Sequence, residues 1–529
     1  DSLSNIGYAV DSAMYLSSIG GGVSFNFSKL RSRTEAIKGV SGRASGVLPV
    51  MKIMEDTFSY ANQLGQRPGA GAAYLNIFHA DIEEFLDCKK INVDEKSRIK
   101  SLSIGVIIPD KFMELAEKDE PCYVFYPHTV FQAYGVHLDD MSNADLNGDW
   151  YQELVENVSV RKKAVNARQL LIKLSQIQKE SGYPYIFFKG NANAKHALKQ
   201  LGSIQFSNLC TEVLQISEVS DIRPYGEQDE INYDISCILG SLNIAPVMEN
   251  KSIKQAVRTA MYTLTSVSDE THLTRVPTIA KANNDLRSVG LGAMNLHGFL
   301  AKNQIMYESA EAREFADKFF MLMNYYSLVY SNEIARDRKN PFVGFEKSEY
   351  ANGNYFAEYL EGYTTEFEFA EIKALFEGIE IPTLEDWKQL QASIEEHGLY
   401  HAYRLAIAPN QSTSYIMNAT ASAMPIVDQI EVREYGDSTT YYPMPYLNDD
   451  NIFFYKSAYD MNQFRVMDMI ATIQKHIDQG ISCILHTNSK DNTRDIARYY
   501  IYAHKVGLKT LYYTRTRKSS VEDCISCSA

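Results

Sequence analysis

An α/β fold is what this sequence predicts, on three observations. Residues 461–478 and 492–506 carry the apolar spacing of helices, and each runs into a short apolar strand, at 481–485 and 508–513. Helix–strand alternation of that kind favours a parallel sheet. Residues 102–109 are a near-continuous apolar run, the signature of a strand covered on both faces. Finally, 529 residues with 45% hydrophobic and 22% charged side chains have the composition of an ordinary globular protein and enough apolar surface for a sizeable core.

The elements follow in order. Residues 8–19 read as an amphipathic helix. The Gly20-Gly21-Gly22 after it lets the backbone turn sharply or approach a ligand, or caps the helix. A second helix is expected over 45–64, leading into the glycine-rich loop Gly65-Gln66-Arg67-Pro68-Gly69-Ala70-Gly71-Ala72. Then come a helix over 79–89, the strand at 102–109 and a helix with Asp110 as its N-cap. A long helix spans 161–181, a strand 183–188 and a loop 205–215. The run Val289-Gly290-Leu291-Gly292-Ala293-Met294-Asn295 resembles a dinucleotide fingerprint, but Asn295 replaces its third glycine and no clear strand precedes it. Close packing explains those glycines better than a Rossmann site. Residues 309–338 and 384–397 are amphipathic helices of an outer layer, and 405–414 is a strand entering a polar turn.

Charge and cysteine usage narrow the function. A net charge of −14 argues against a non-specific nucleic-acid binder, which normally carries a basic stripe. No apolar run reaches the roughly 18 residues that span a bilayer, so a membrane-embedded protein is not expected. Seven cysteines, an odd number at mostly wide spacings, do not look like a secreted disulfide framework; a reducing cytoplasm is the expected setting. Cys88 and Cys122 have no motif around them and read as structural thiols. The acidic stretch 143–148 imitates the start of a calcium loop, but Leu154 stands where the bidentate Glu belongs and Glu153 is out of register, so no metal site is expected. The chain opens at Asp1 with no Met or targeting segment, as if in the middle of a fold.

The chemistry concentrates in Ser207-Asn208-Leu209-Cys210-Thr211-Glu212. In an extended backbone, residues two apart project to one side, so Asn208, Cys210 and Glu212 converge on one bound molecule. That is a nucleophile or radical site with an acid/base beside it. An isolated N-x-C-x-E is more often a structural cysteine among surface polars, and three further motifs decide otherwise: Asp234-Ile235-Ser236-Cys237, Leu508-Lys509-Thr510-Leu511-Tyr512-Tyr513 and Cys524-Ile525-Ser526-Cys527. Together, and in this order, they resemble the catalytic large subunit of ribonucleotide reductase, class I, with class Ib the most similar.

The resemblance implies a ten-stranded α/β barrel of the ribonucleotide reductase and glycyl radical type. A central finger loop stands inside it, and the barrel covers 1–517, incomplete at its N-terminus, with a flexible redox tail at 518–529. It implies reduction of ribonucleoside diphosphates for DNA synthesis, with Cys210 as the thiyl, Glu212 as general base and Asn208 holding the sugar hydroxyls. Cys237 becomes one member of the reducing dithiol, whose other member is expected upstream of Asp1. Cys524 and Cys527 then regenerate the disulfide by thiol exchange with a thioredoxin- or glutaredoxin-like donor. Zinc is the alternative for a C-x-x-C, but no second pair lies nearby.

Tyr512 and Tyr513 resemble the radical relay from a separate dimetal-tyrosyl small subunit, so no cofactor is expected to stay bound in this chain. Gly22 falls in the segment lining the substrate sugar, and Pro409, Asn410, Gln411, Ser412 and Thr413 match the substrate-diphosphate loop. Asp1, Ser2, Leu3 and Arg31 match the site of a nucleoside triphosphate effector, and Gln63 and Arg67 the loop relaying effector identity. A homodimer and a missing N-terminal piece are the remaining expected partners. Two alternatives stay open: a cobalamin-dependent reductase, which does not need Tyr512 and Tyr513, and a catalytically silent nucleotide-binding or assembly subunit.

Overall fold

Four strands lie side by side in parallel: Val23–Asn26, Gly71–Asn76, Ser103–Ile108 and Tyr185–Phe188, in that order. They belong to a computed structural model that describes residues 1–62, 68–142, 150–435 and 438–517. Leu75, Val106, Ile107, Ile186 and Phe187 are completely buried. At about 1.5–3 kcal/mol per buried large apolar side chain, such strands are held by burial on both faces.

A second parallel set begins with Leu239–Asn243 beside Gly290–Met294. It continues through parallel bridges from Leu291 to Leu405 and from Ile407 to Ile481. Leu485–Asn488 then pairs in parallel with Thr514–Arg517. The segment 510–513 joins the two sets, because Thr510–Leu511 runs antiparallel to Tyr185–Phe188 while the Tyr512 N–H donates to the Cys483 carbonyl at 2.7 Å. The two sets therefore run in opposite directions on either side of this segment.

Ala310–Arg338, 29 residues and about 44 Å long at 1.5 Å per residue, is the longest helix among the described residues; Ser309 caps it by accepting the Ala312 N–H at 3.1 Å. It lies inside rather than in the outer layer expected of it, since the successive residues Phe319, Phe320, Met321, Leu322 and Met323 are all fully buried and so are covered on every face of the helix. From this helix Asn324 and Ser327 reach the fully buried Arg404, whose guanidinium also meets Tyr350, Tyr355 and Asp478. No helix among the described residues is long and apolar enough to cross a membrane.

Several expected helices are present with shorter ends, among them Leu48–Tyr60, Ile82–Asp87, Gln463–Gln474 and Thr493–Lys505, whereas Leu3–Ser18 begins earlier than the expected 8–19. Leu384–His397 matches its expected bounds, closed by a capping box between Thr383 and Asp386. The strand expected over 481–485 is reduced to a bridge at Ile481, with Leu485–Asn488 as the strand, and that expected over 405–414 to bridges at Leu405 and Ile407. Three further expectations are corrected. The helix expected over 161–181 starts only at Ala167, because Lys162–Asn166 pairs antiparallel with Pro121–Phe125 and Asn166 caps the helix by accepting the Gln169 N–H at 2.8 Å. Asp110 is the first helical residue rather than the N-cap, and its carboxylate accepts from His504 Nε2 at 2.9 Å. The apolar surroundings of Cys237 in the sequence predict a strand-borne, poorly exposed thiol, but it precedes the strand Leu239–Asn243 and is exposed.

The glycines of the false dinucleotide motif lie inside the strand Gly290–Met294, where a Cβ on Gly292 would stand 2.5 Å from the Ala406 carbonyl oxygen. Close packing is their role. Cys88 and Cys122 are buried, and burial pushes each thiol up to about 12. The acidic stretch 143–148 lies outside the described residues.

Candidate active site

An antiparallel bridge between Ile204 and Ile216 closes the base of the 205–215 loop. Asn193 holds one side by accepting the Ile204 N–H at 2.9 Å and donating to its carbonyl at 3.0 Å; the Tyr403 hydroxyl accepts the Ile216 N–H at 3.0 Å on the other. Beyond the base, donors from the surrounding strands meet the loop's carbonyls. Ser24 Oγ donates to Ser207 at 2.7 Å, Tyr74 Oη to Asn208 at 2.9 Å and Ser482 Oγ to Cys210 at 2.6 Å. Thr510 Oγ1 donates to Thr211 at 3.0 Å and the Gly480 N–H to Glu212 at 2.8 Å. A non-repetitive loop inside a protein is stable only when its backbone polar groups are paired in this way.

Asn208, Cys210 and Glu212 do come together, but by a turn rather than by the alternation of an extended strand. Residues 209 and 210 form the turn and Thr211 takes a φ of 70°. This brings Asn208 Nδ2 to 3.0 Å from Glu212 Oε1, while Asn208 Oδ1 accepts the Val213 N–H at 3.0 Å. The other carboxylate oxygen, Oε2, lies 3.1 Å from Ser482 Oγ, within hydrogen-bond distance. Burial pushes the Glu212 carboxyl up to about 7 against the opposing pull of its hydrogen bonds from Asn208 and Ser482. A group poised there passes readily between its acid and base forms.

Cys210 is half-buried, with its Sγ 3.5 Å from the Tyr512 hydroxyl. The Tyr512 and Tyr513 rings follow at 4.4 Å between centroids, inclined at 61°, and Arg515 donates to the Tyr513 hydroxyl at 2.9 Å. Cys237 is exposed, and surrounding protein together with the charges of Glu212 and Cys210 raises its thiol pKa.

Gly22 lies against the loop tip, where an added Cβ would be 3.0 Å from Leu209 Cδ2. Pro409 and Gln411 line a cavity together with Ser482, Tyr513 and Arg515. Asn410 instead turns inward, donating to Ser241 and accepting the Ser422 N–H at 2.9 Å, and Ser412 and Thr413 are exposed on the short helix Gln411–Ile416. Away from this cleft, Asp1 and Arg31 form an ion pair at 2.8 Å, Ser2 caps the helix Leu3–Ser18 and Leu3 is exposed. Gln63, Arg67, Cys524 and Cys527 lie outside the described residues. Tyr74, Gly480 and Ser482 were not foreseen, since each stands far from the loop in sequence and carries no motif. Among the described residues no group of three or more His, Cys, Asp or Glu side chains is placed to hold a metal ion.

The model of the ribonucleotide reductase barrel domain matches residues 1–514. The chain belongs to the ribonucleotide reductase family. It is 54% identical over 529 residues to a Bacillus subtilis (strain 168) protein named ribonucleoside-diphosphate reductase subunit alpha, covering 100% of this chain and 75% of that one. A Mycoplasma pneumoniae protein of the same name is 41% identical over 532 residues, covering 99% of this chain and 72% of the relative. One from Treponema pallidum is 29% identical over 544 residues, covering 100% and 62%. This reductase is thus a catalytic large subunit, an oxidoreductase, and the α/β barrel expected from its sequence is that of its family.

Proposed function

We propose that the chain reduces ribonucleoside diphosphates to 2′-deoxyribonucleotides by a thiyl radical on Cys210, in a class I enzyme of the Ib kind. The observation that carries this reading is the unbroken run Tyr513, Tyr512, Cys210, with the Tyr512 hydroxyl 3.5 Å from the sulfur and a buried carboxylate two residues further on.

An oxidising equivalent from a radical-generating small subunit, of the dimetal-tyrosyl kind, passes through Tyr513 and Tyr512 and leaves Cys210 as the thiyl. The thiyl removes the 3′ hydrogen of the ribose. Glu212 takes the 3′-hydroxyl proton while Asn208 holds the hydroxyls, and the 2′ oxygen departs as water. Cys237 and a second thiol supply two electrons and two protons and become a disulfide. Cys210 returns the hydrogen to C3′ and is a thiyl again. The net change is one ribonucleotide and two thiols to one deoxyribonucleotide, one disulfide and water.

Pro409, Gln411, Ser412 and Thr413 are assigned to the substrate diphosphate and Gly22 to the sugar. Asp1, Ser2, Leu3 and Arg31 are assigned to a nucleoside triphosphate effector between subunits of a dimer, with Gln63 and Arg67 relaying its identity. Cys524 and Cys527, on the segment 518–529, pass electrons from a thioredoxin- or glutaredoxin-like donor in a reducing cytoplasm. The deciding experiment supplies the chain, together with the N-terminal piece expected to carry the second thiol, with a ribonucleoside diphosphate and dithiothreitol, adding a class Ib small subunit in one arm and adenosylcobalamin in the other. Deoxyribonucleotide formed only in the first arm supports the proposal. Product in the second arm alone assigns the chain to the cobalamin-dependent enzymes, and none in either arm favours a silent subunit.

A further inference from the structure

The hydroxyl of Ser482 sits between two parts of the candidate site, 2.6 Å from the Cys210 carbonyl and 3.1 Å from Glu212 Oε2. Ser482 is fully buried and is carried by the segment following Gly480, whose own N–H holds the Glu212 carbonyl. A serine hydroxyl has one proton and two lone pairs, so it can donate to only one of these oxygens at a time. We propose that Ser482 is a positioning residue that couples the protonation of Glu212 to the backbone of Cys210. This rests on the reading of Glu212 as the general base.

The two arrangements follow from proton counting. With Glu212 protonated, its acid O–H donates to Ser482 Oγ, and Ser482 donates to the Cys210 carbonyl. With Glu212 ionised, the carboxylate attracts the serine proton to Oε2, because hydrogen bonds to a charged oxygen are roughly twice as strong as those to a neutral one. The Cys210 carbonyl then loses its donor. Each time Glu212 gives up or takes back a proton, the peptide carrying the thiol gains or loses one hydrogen bond, and Ser482 stabilises the ionised carboxylate.

Other titratable groups face Glu212 from each element packed on it: Cys210 on its own loop, Tyr74 from the strand Gly71–Asn76, Cys237 from the segment before Leu239–Asn243 and, beyond Cys210, Tyr512. Burial raises the Tyr74 pKa, and the Glu212 charge raises those of Tyr74 and Cys237 further. Glu212 is therefore the carboxyl on which removal of the Ser482 hydroxyl acts.

The experiment is an infrared pH titration of the full chain, with the Glu212 carboxyl band assigned by its loss in Glu212→Gln. In Ser482→Ala the midpoint is expected to rise by about one pH unit, the effect of one charge-assisted hydrogen bond, and Ser482→Thr is expected to restore it. If the alanine variant does not fold, Ser482→Cys under reductant, which keeps a weaker donor, is expected to shift the midpoint in the same direction by less. In turnover assays with the small subunit, the acid limb of the pH profile moves up by the same interval while activity at high pH recovers. An unmoved midpoint in the folded variants, or a loss of turnover equal at every pH, overturns the role of Ser482. A wild-type Glu212 band that does not titrate near neutrality overturns the assignment of the base itself.

Discussion

Tyr512 directs its phenolic hydroxyl at the sulfur of Cys210, 302 residues earlier in the chain, across 3.5 Å. The contact exists because 510–513 is the segment between the two parallel sets and the finger loop is hydrogen-bonded to the same segment through Thr510. Tyr512→Phe keeps the ring, its packing on Tyr185 at 4.7 Å and its packing on Tyr513, and removes only the exchangeable proton. Nucleotide binding measured by calorimetry should be unchanged and deoxyribonucleotide formation abolished. Full activity in this variant would remove the relay.

For the acid/base group, Glu212→Gln should keep the Asn208 and Ser482 neighbours in place while removing the proton acceptor. Turnover should fall by about 10²–10⁴-fold, the usual contribution of a positioned general base. Substrate affinity should stay within a small factor. Cys210→Ser should bind substrate equally well and give no product, since an alcohol O–H is much harder to convert to a radical than a thiol S–H.

Gly480 tests how closely the loop is held. A Cβ there would lie 2.9 Å from the Thr211 carbonyl oxygen and 3.1 Å from that of Glu212, so Gly480→Ala must push the loop back. An overpacking cost of about 1–3 kcal/mol is expected in urea unfolding. Turnover should drop by more than the stability loss accounts for, because the displaced atoms are the backbone between Cys210 and Glu212. An alanine variant with wild-type turnover would show that the loop position is not critical.

The Arg404–Asp478 pair bears on stability. Arg404 is fully buried, and Asp478 also accepts the Arg404 and Leu405 N–H groups at 2.9 and 2.8 Å. Asp478→Ala strands a buried guanidinium and should cost about 3–5 kcal/mol, whereas replacing both partners by apolar residues should cost less. Chemical denaturation of the single and double variants measures the difference.

For the tail, Cys524→Ser with Cys527→Ser should spare turnover driven by dithiothreitol and lose that driven by a thioredoxin-like protein, which cannot enter the barrel. Equal loss with both reductants would place these thiols in another role.

The sequence determined the α/β class, the burial of the 102–109 strand and the Leu384–His397 helix, because apolar periodicity is a local signal that burial only reinforces. Its motifs also singled out Cys210, Glu212, Cys237 and Tyr512. The tertiary structure decided how these residues meet. Asn208 and Glu212 bond across a turn at Thr211 rather than along an extended strand, and Lys162–Asn166 is a strand because Pro121–Phe125 is its partner. Cys237 is exposed although Ile235, Ile238 and Leu239 surround it in the sequence. Ser482, Gly480 and Tyr74 reach the loop from other strands, and their hydrogen bonds are set by which strands lie side by side. That is a long-range property, fixed by the summed burial of the whole sheet and carried by no short stretch of sequence.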